Sequence, residues 1–341
     1  MSEAKPNRRI LLRQRPIDLL SSDDYEITIQ PPAPVDEGDA LIETALLAMD
    51  PVTRVMLGAD IKVMPPIPLG EAIRGFGVGQ VVESRHAGFP VGARVMGFFE
   101  WADYQCVRTV PRIALLPDDV SFIQALNLYG HTAHAAYFGM IEVGKVAKGD
   151  VVVVTGAAGA VGSIAAQIAR IKGARVIGTA GTSEKRAWLT DVIGLDAALD
   201  YRAGNIDDEL TRLTPDGVDL IFDNVGGALL DRLIGHLAPG GRVVLCGAIA
   251  QYLDSDPLAS TVDVAAIIER GGTASRFNAM DYATQFGDAF AQMMGWEQQG
   301  QLKVAVKLIA DLEQAPAALN SLFRDRSQGR LLVDLSGMHP E

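Results

Sequence analysis

Residues 151–173, VVVVTGAAGAVGSIAAQIARIKG, constrain the fold more than any other stretch of the chain. Four consecutive valines are β-branched and too few for a helix, so Val151–Val154 reads as a strand buried on both faces, the kind a parallel sheet contains. Gly156, Gly159 and Gly162 follow at a spacing of three, a helical stretch runs from Val161 to Lys172, and Gly173 stands where a C-terminal cap belongs. Strand, glycine turn and helix in this order form a dinucleotide-binding unit. The glycines let the backbone turn tightly and approach a pyrophosphate, and the helix start offers free N–H groups and the positive end of its dipole. The backbone of Gly156, Ala158, Gly159, Ala160, Val161 and Gly162 is therefore the expected cradle. A bare triple of glycines would also fit an ordinary tight turn; the flanking valine run and helix are what the binding mechanism requires. Val151 to Ala169 also lacks any charge, which approaches the length of a membrane span. The three glycines, Thr155 and Ser163 make it a poor one, and Asp150 and Arg170 bracket a single uncharged strand–turn–helix.

The chain has 341 residues, enough for two domains with sizeable cores. With 48% hydrophobic and 21% charged residues it has the composition of an ordinary globular protein. A net charge of −12 argues against a nucleic-acid partner, which needs a basic surface. The start, MSEAKPNRR, lacks the apolar core of a signal peptide, and Cys106 and Cys246 alone indicate no disulfide framework, so the expected compartment is the cytoplasm.

Before residue 121 short apolar runs alternate with turn material. Ile10–Leu12, Tyr25–Ile29, Ala40–Leu47, Gly75–Glu83, Gly92–Phe98 and Ala102–Thr109 read as strands, the proline-rich stretches 30–34 and 64–68 as loops, and no helical period persists. The pattern then changes. Residues 121–141 and 142–148 look helical, and strands at Val151–Val154, Ala174–Thr179, Ala197–Asp200, Val218–Phe222 and Arg242–Cys246 alternate with helices at Glu184–Ile193, around Asp207–Thr214, and at Leu229–Leu237, ended by Pro239-Gly240-Gly241. This alternation implies a doubly wound parallel sheet. Tyr282–Gln299 is amphipathic, with Phe286, Phe290 and Met293 as core contacts, and residues 303–341 give a strand, a helix containing Pro316 and a last strand, Leu331–Leu335. The expected fold is α/β, with a β-rich, barrel-like first region followed by a Rossmann-type doubly wound domain.

An NAD enzyme usually ends its second strand with an acid that holds the ribose 2′-hydroxyl. Here that strand continues Ile177-Gly178-Thr179-Ala180-Gly181-Thr182-Ser183, with no acid, and Lys185 and Arg186 follow. Exchanging acid for base favours a 2′-phosphate, hence NADPH over NADH. Glu184 reads as a charge favourable to the helix dipole. Asn224 and Cys246 each stand at the C-terminal end of a strand, the edge at which cofactors lie. NADPH gives a hydride, whose acceptor must take negative charge. A C=C conjugated to a carbonyl does so as an enolate, provided that the protein supplies a hydrogen-bond donor at oxygen and a proton at the α-carbon. Tyr252, six residues past Cys246, is the candidate donor.

A β-rich start, a central nucleotide domain and a C-terminal return resemble the medium-chain dehydrogenase/reductase superfamily. Within it, MDPVTR at 49–54, GFGVGQVVES at 75–84, YFGM at 137–140, TGAAGAVGS at 155–163, AGTSEK at 180–185, DNVGG at 223–227 and CGAIAQY at 246–252 resemble the zinc-free leukotriene B4 12-hydroxydehydrogenase/prostaglandin reductases and plant double-bond reductases. The resemblance implies an NADP-binding Rossmann domain over 127–306, a GroES-like fold for a β-rich domain over 1–126 completed by 307–341, and a homodimer. It places Thr182, Lys185 and Tyr201 at the 2′-phosphate, Asn224, Cys246 and Gly247 beside the cofactor, and Met49, Asp50, Arg54 and Tyr252 at the substrate, with Tyr252 bonding the carbonyl or enolate oxygen. Val52 and Ser327-Gln328-Gly329-Arg330 depart from the family pattern. Zinc relatives carry a cysteine near Ala48-Met49-Asp50 and a histidine after Gly70; neither is present, the four-cysteine lobe is missing, and of the five histidines only His131 and His134 fall at i, i+3. No metal is expected. The resulting expectation is an NADPH-dependent reductase of α,β-unsaturated aldehydes or ketones, with a quinone reductase of the same superfamily or a non-catalytic NADPH-binding protein as alternatives.

Overall fold

The structure, a computed structural model, describes residues 6–58, 65–110, 112–253, 262–324 and 328–337. In chain order its strands are β1 (Asn7–Leu12), β2 (Tyr25–Gln30), β3 (Ala40–Ala48), β4 (Arg74–Ser84), β5 (Arg94–Glu100), β6 (Tyr104–Cys106), β7 (Ala114–Leu115), β8 (Val151–Val154), β9 (Arg175–Thr179), β10 (Ala197–Leu199), β11 (Val218–Asp223), β12 (Leu237–Leu245), β13 (Thr273–Arg276), β14 (Val306–Ala310) and β15 (Arg330–Asp334). They fall into two compact units, Met1–Leu126 with Val306–Glu341 and Asn127–Ala305.

In the nucleotide unit the order is β10-β9-β8-β11-β12-β13, every pair parallel. This is the doubly wound order expected from the alternating pattern, with its switch point between β8 and β11. The valine run behaves as its composition dictates: Val152 and Val154 pack into the core on one face, with Ile164, Ala165 and Ile168 of the helix Ala160–Ile171, and Val153 into the core on the other, with Ile177 and Ile221. Phe286, Phe290 and Met293 pack against the first of these cores.

The β-rich unit contains the sheet β14-β15-β3-β4-β5-β7, with β6 also on β3, and the ribbon β1-β2. The late strand β15 runs antiparallel to β3, Leu332 opposite Ala48, and β14 lies parallel to β15. Ile10, Ile42, Leu47, Phe99, Trp101, Leu319 and Val333 form its core.

Four local expectations are corrected. Region 1–120 contains a helix, Pro51–Met56, too short for a period to register; Pro51 opens it, where a missing N–H costs nothing, and Thr53 to Met56 are buried. The helical stretch ends at Val143, so 144–148 is not helix. The helix read as Leu229–Leu237 is Gly227–Ile234, and Pro239-Gly240-Gly241 lies inside β12, where the pairing with β11 slips from Val218–Leu237 to Leu220–Arg242. The sixth parallel strand, β13, had no sequence signal: Thr-Ala-Ser-Arg is a polar, largely exposed edge strand. None of the described helices is long and apolar enough to cross a membrane.

Candidate active site

The carboxyl ends of β8 and β11 are tied together across the switch point. Thr155 Oγ1 donates to Asp223 Oδ1 (2.7 Å) and accepts from the Asn224 N–H (2.8 Å), while Asn224 Nδ2 donates to the Thr155 carbonyl (2.8 Å). Asp223 Oδ2 also accepts from the Gly226 N–H (2.9 Å). Burial raises the Asp223 pKa, against the lowering pull of these donors. The chain leaves β8 through Gly156, at φ +57°, and starts the helix Ala160–Ile171 from Gly159. A Cβ on Gly162 would stand 2.3 Å from the Gly156 carbonyl oxygen, so only glycine allows this turn. The N–H groups of Ala160, Val161 and Gly162 begin the helix and have no intrahelical acceptor. This cradle fits a pyrophosphate.

At the end of β9 the Thr182 hydroxyl accepts from the Lys185 N–H (3.3 Å) and caps the helix Ser183–Ala187, whose Lys185 is 8% exposed. Arg186 turns away from Lys185: its Nη1 pairs with Asp200 Oδ2 (2.7 Å). The Arg202 guanidinium lies 5.2 Å from the Tyr201 ring centre, and its Nη1 donates to the Gly181 carbonyl (3.5 Å). Thr182, Lys185 and Tyr201 thus belong to one corner of the sheet edge. Sequence reasoning missed Asp200 and Arg202 there; the signal was their adjacency to Tyr201.

At the end of β12, Cys246, Gly247 and Tyr252 line a cavity of about 90 Å³ with Asp223 and Arg276. The Tyr252 hydroxyl accepts from the Ala248 N–H (3.4 Å), and burial is the main cause raising its pKa. Burial, with the Asp223 charge, pushes the Cys246 thiol up to about 12, so it is a neutral, unreactive group.

The remaining candidates lie in the β-rich unit. Met49 is buried. Asp50 accepts from two of the three Arg330 guanidinium nitrogens, Nη1 at 2.5 Å and Nη2 at 3.1 Å, and Arg54 donates to the carbonyls of Asp18 (2.6 Å) and Pro16 (3.0 Å). Both charged side chains are thus engaged in the unit's own packing. Ser327 and His339 lie outside the described residues. Among the described residues no three His, Cys, Asp or Glu side chains are grouped so as to hold a metal ion. His134 stacks on Phe286 at 3.7 Å instead, and burial, helped by His131, pushes it down to about 4.

A doubly wound sheet with a glycine cradle at its switch point, in one chain with a β-rich unit completed by the late strands, defines a dinucleotide-dependent oxidoreductase. Residues 8–112 match the family described as the N-terminal domain of oxidoreductase, and residues 160–294 the family described as zinc-binding dehydrogenase. The chain is 28% identical to the NADPH-dependent curcumin reductase of Escherichia coli, over 97% of each protein. It is 30% identical to prostaglandin reductase 1 of Rattus norvegicus, over 91% of this chain and 93% of the relative. The crystal structure of CurA from Vibrio vulnificus in complex with NADPH is similar at TM-score 0.89 and 31% identity, covering 98% of this chain and 100% of that one. The protein belongs to the zinc-free prostaglandin reductase branch of the medium-chain dehydrogenase/reductase superfamily, and its cofactor is NADPH/NADP+.

Proposed function

We propose that this protein reduces the C=C bond of α,β-unsaturated aldehydes or ketones by hydride transfer to the β-carbon, without a metal. The observation that carries this reading is the Tyr252 hydroxyl in the loop following β12. It accepts from a backbone N–H and keeps its own proton to donate, and its raised pKa keeps that proton in place. The bound cofactor supplies the hydride. Tyr252 donates to the oxygen on which enolate charge develops, an interaction stronger in the transition state than in the ground state. The α-proton comes from Tyr252 or from water. The backbone of Gly156, Ala158–Gly162 binds the pyrophosphate; Thr182, Lys185 and Tyr201 hold the 2′-phosphate; Asn224, Cys246 and Gly247 line the cofactor edge. Met49, Asp50 and Arg54 are assigned to the substrate by resemblance, Asp50 and Arg54 acting by fixing the Pro51–Met56 helix through Arg330 and the 16–18 carbonyls. The enzyme acts in the cytoplasm as a homodimer.

The test is NADPH oxidation against a panel of enals, enones, quinones and saturated aldehydes. Turnover of enones and enals above quinones is expected. Preference for quinones would make it a quinone reductase, and no turnover of any acceptor a non-catalytic NADPH-binding protein.

A further inference from the structure

We propose that Arg186 sets the preference for NADPH without touching the cofactor, by neutralising Asp200 at the edge of the 2′-phosphate corner. This rests on the placement of the 2′-phosphate at Thr182, Lys185 and Tyr201. The end of β9 carries no acid, but the end of β10 does: Asp200 immediately precedes Tyr201. An uncompensated carboxylate there opposes a phosphate of nearly two negative charges. Two donors meet it instead. Oδ2 takes Arg186 Nη1 at 2.7 Å, and Oδ1 accepts the Arg202 N–H at 3.0 Å. Successive residues of a helix do not face each other, so the Lys185-Arg186 pair divides: Arg186 reaches Asp200 and, at 3.4 Å, the Ala180 carbonyl. Asp200 and Arg186 are both about one-quarter exposed, at 29% and 26%. Their effect on the phosphate is therefore moderate and salt-dependent.

The test measures dissociation constants of NADPH and NADH by fluorescence titration on the whole protein, for wild type, Arg186→Gln, Arg186→Lys, Asp200→Asn and the double variant Arg186→Gln/Asp200→Asn. Asparagine retains the oxygen that accepts from the Arg202 N–H. Arg186→Gln is expected to weaken NADPH roughly three- to tenfold while leaving NADH within about twofold. Arg186→Lys keeps most of the affinity, and the double variant returns it to near the wild-type value. A loss that persists in the double variant, or one equal for both cofactors, overturns the proposal. A Lys185→Ala arm separates the two readings: it should weaken NADPH about ten- to a hundredfold more than NADH, and equal losses there would refute the 2′-phosphate placement itself.

Discussion

Tyr252, half-buried, and His134, buried, are polar rings whose pKa values burial sends in opposite directions. For Tyr252 the raised pKa retains the proton, so enone reduction should show no alkaline fall from this group through mildly basic pH. Tyr252→Phe keeps the ring and removes only the donor. It is expected to lower kcat roughly ten- to a thousandfold with NADPH affinity intact, read by steady-state kinetics beside a cofactor titration. An unchanged kcat would make Tyr252 a wall of the cavity and leave the donor elsewhere. For His134, at 4% exposed, the folded state refuses a proton that the unfolded chain accepts near its ordinary value of about 6.5. Its contribution to stability is therefore complete above that pH and is lost as pH falls towards 4. Relative to His134→Leu, the wild type should lose on the order of 3 kcal/mol across this window in urea unfolding. Parallel profiles for the two proteins would show that the ring is protonated in the native state.

Between elements, the β-rich unit holds a buried ion pair. Asp50 precedes the Pro51–Met56 helix and Arg330 opens β15, and both are almost fully buried, at 2% and 1% exposed. Removing one partner strands the other charge in the interior, so Arg330→Met should cost about 3–5 kcal/mol, while Asp50→Leu/Arg330→Met should recover most of that loss. Equal denaturation midpoints for the single and double variants would mean that the packing of Arg330, not its charge, is what matters. This pair also marks where sequence reading stops. The strand–glycine–helix unit was legible because its information is local: valines that need burial, glycines that need space, a helix start that needs an anion. The doubly wound order and NADPH followed from strand–helix alternation and the missing acid after Thr179. Nothing local told that Asp50 meets a residue 280 positions away, that Arg186 leaves Lys185 for Asp200, or that Pro239-Gly240-Gly241 would be carried inside a strand by its pairing with β11. Those outcomes are decided by partners that only the fold supplies.

At the scale of the whole molecule, β13 ends the parallel sheet with no described strand on its outer side. Val264 and Ile268, on the adjoining helix Val264–Glu269, are 52% and 67% exposed. A second copy pairing at this edge would satisfy the strand's outward backbone groups and cover both side chains. If the proposed homodimer pairs at this edge, Ile268→Glu should give a monomer in sedimentation velocity with the nucleotide unit still folded. A dimer that persists uses another face.

The antiparallel seam between β3 and β15 has a consequence for biosynthesis. β3 is complete as the ribosome passes residue 48, but its partner appears only after the entire nucleotide unit has been made. At ordinary elongation rates that interval is roughly a quarter of a minute to a minute. The nucleotide unit, contiguous in the chain, can condense within it. β6 covers Leu41–Glu43 on that edge early, but Leu46–Ala48 must wait unpaired, and an open edge invites pairing with neighbouring chains. Nascent chains in this window therefore expose a stretch of strand edge that the finished fold covers.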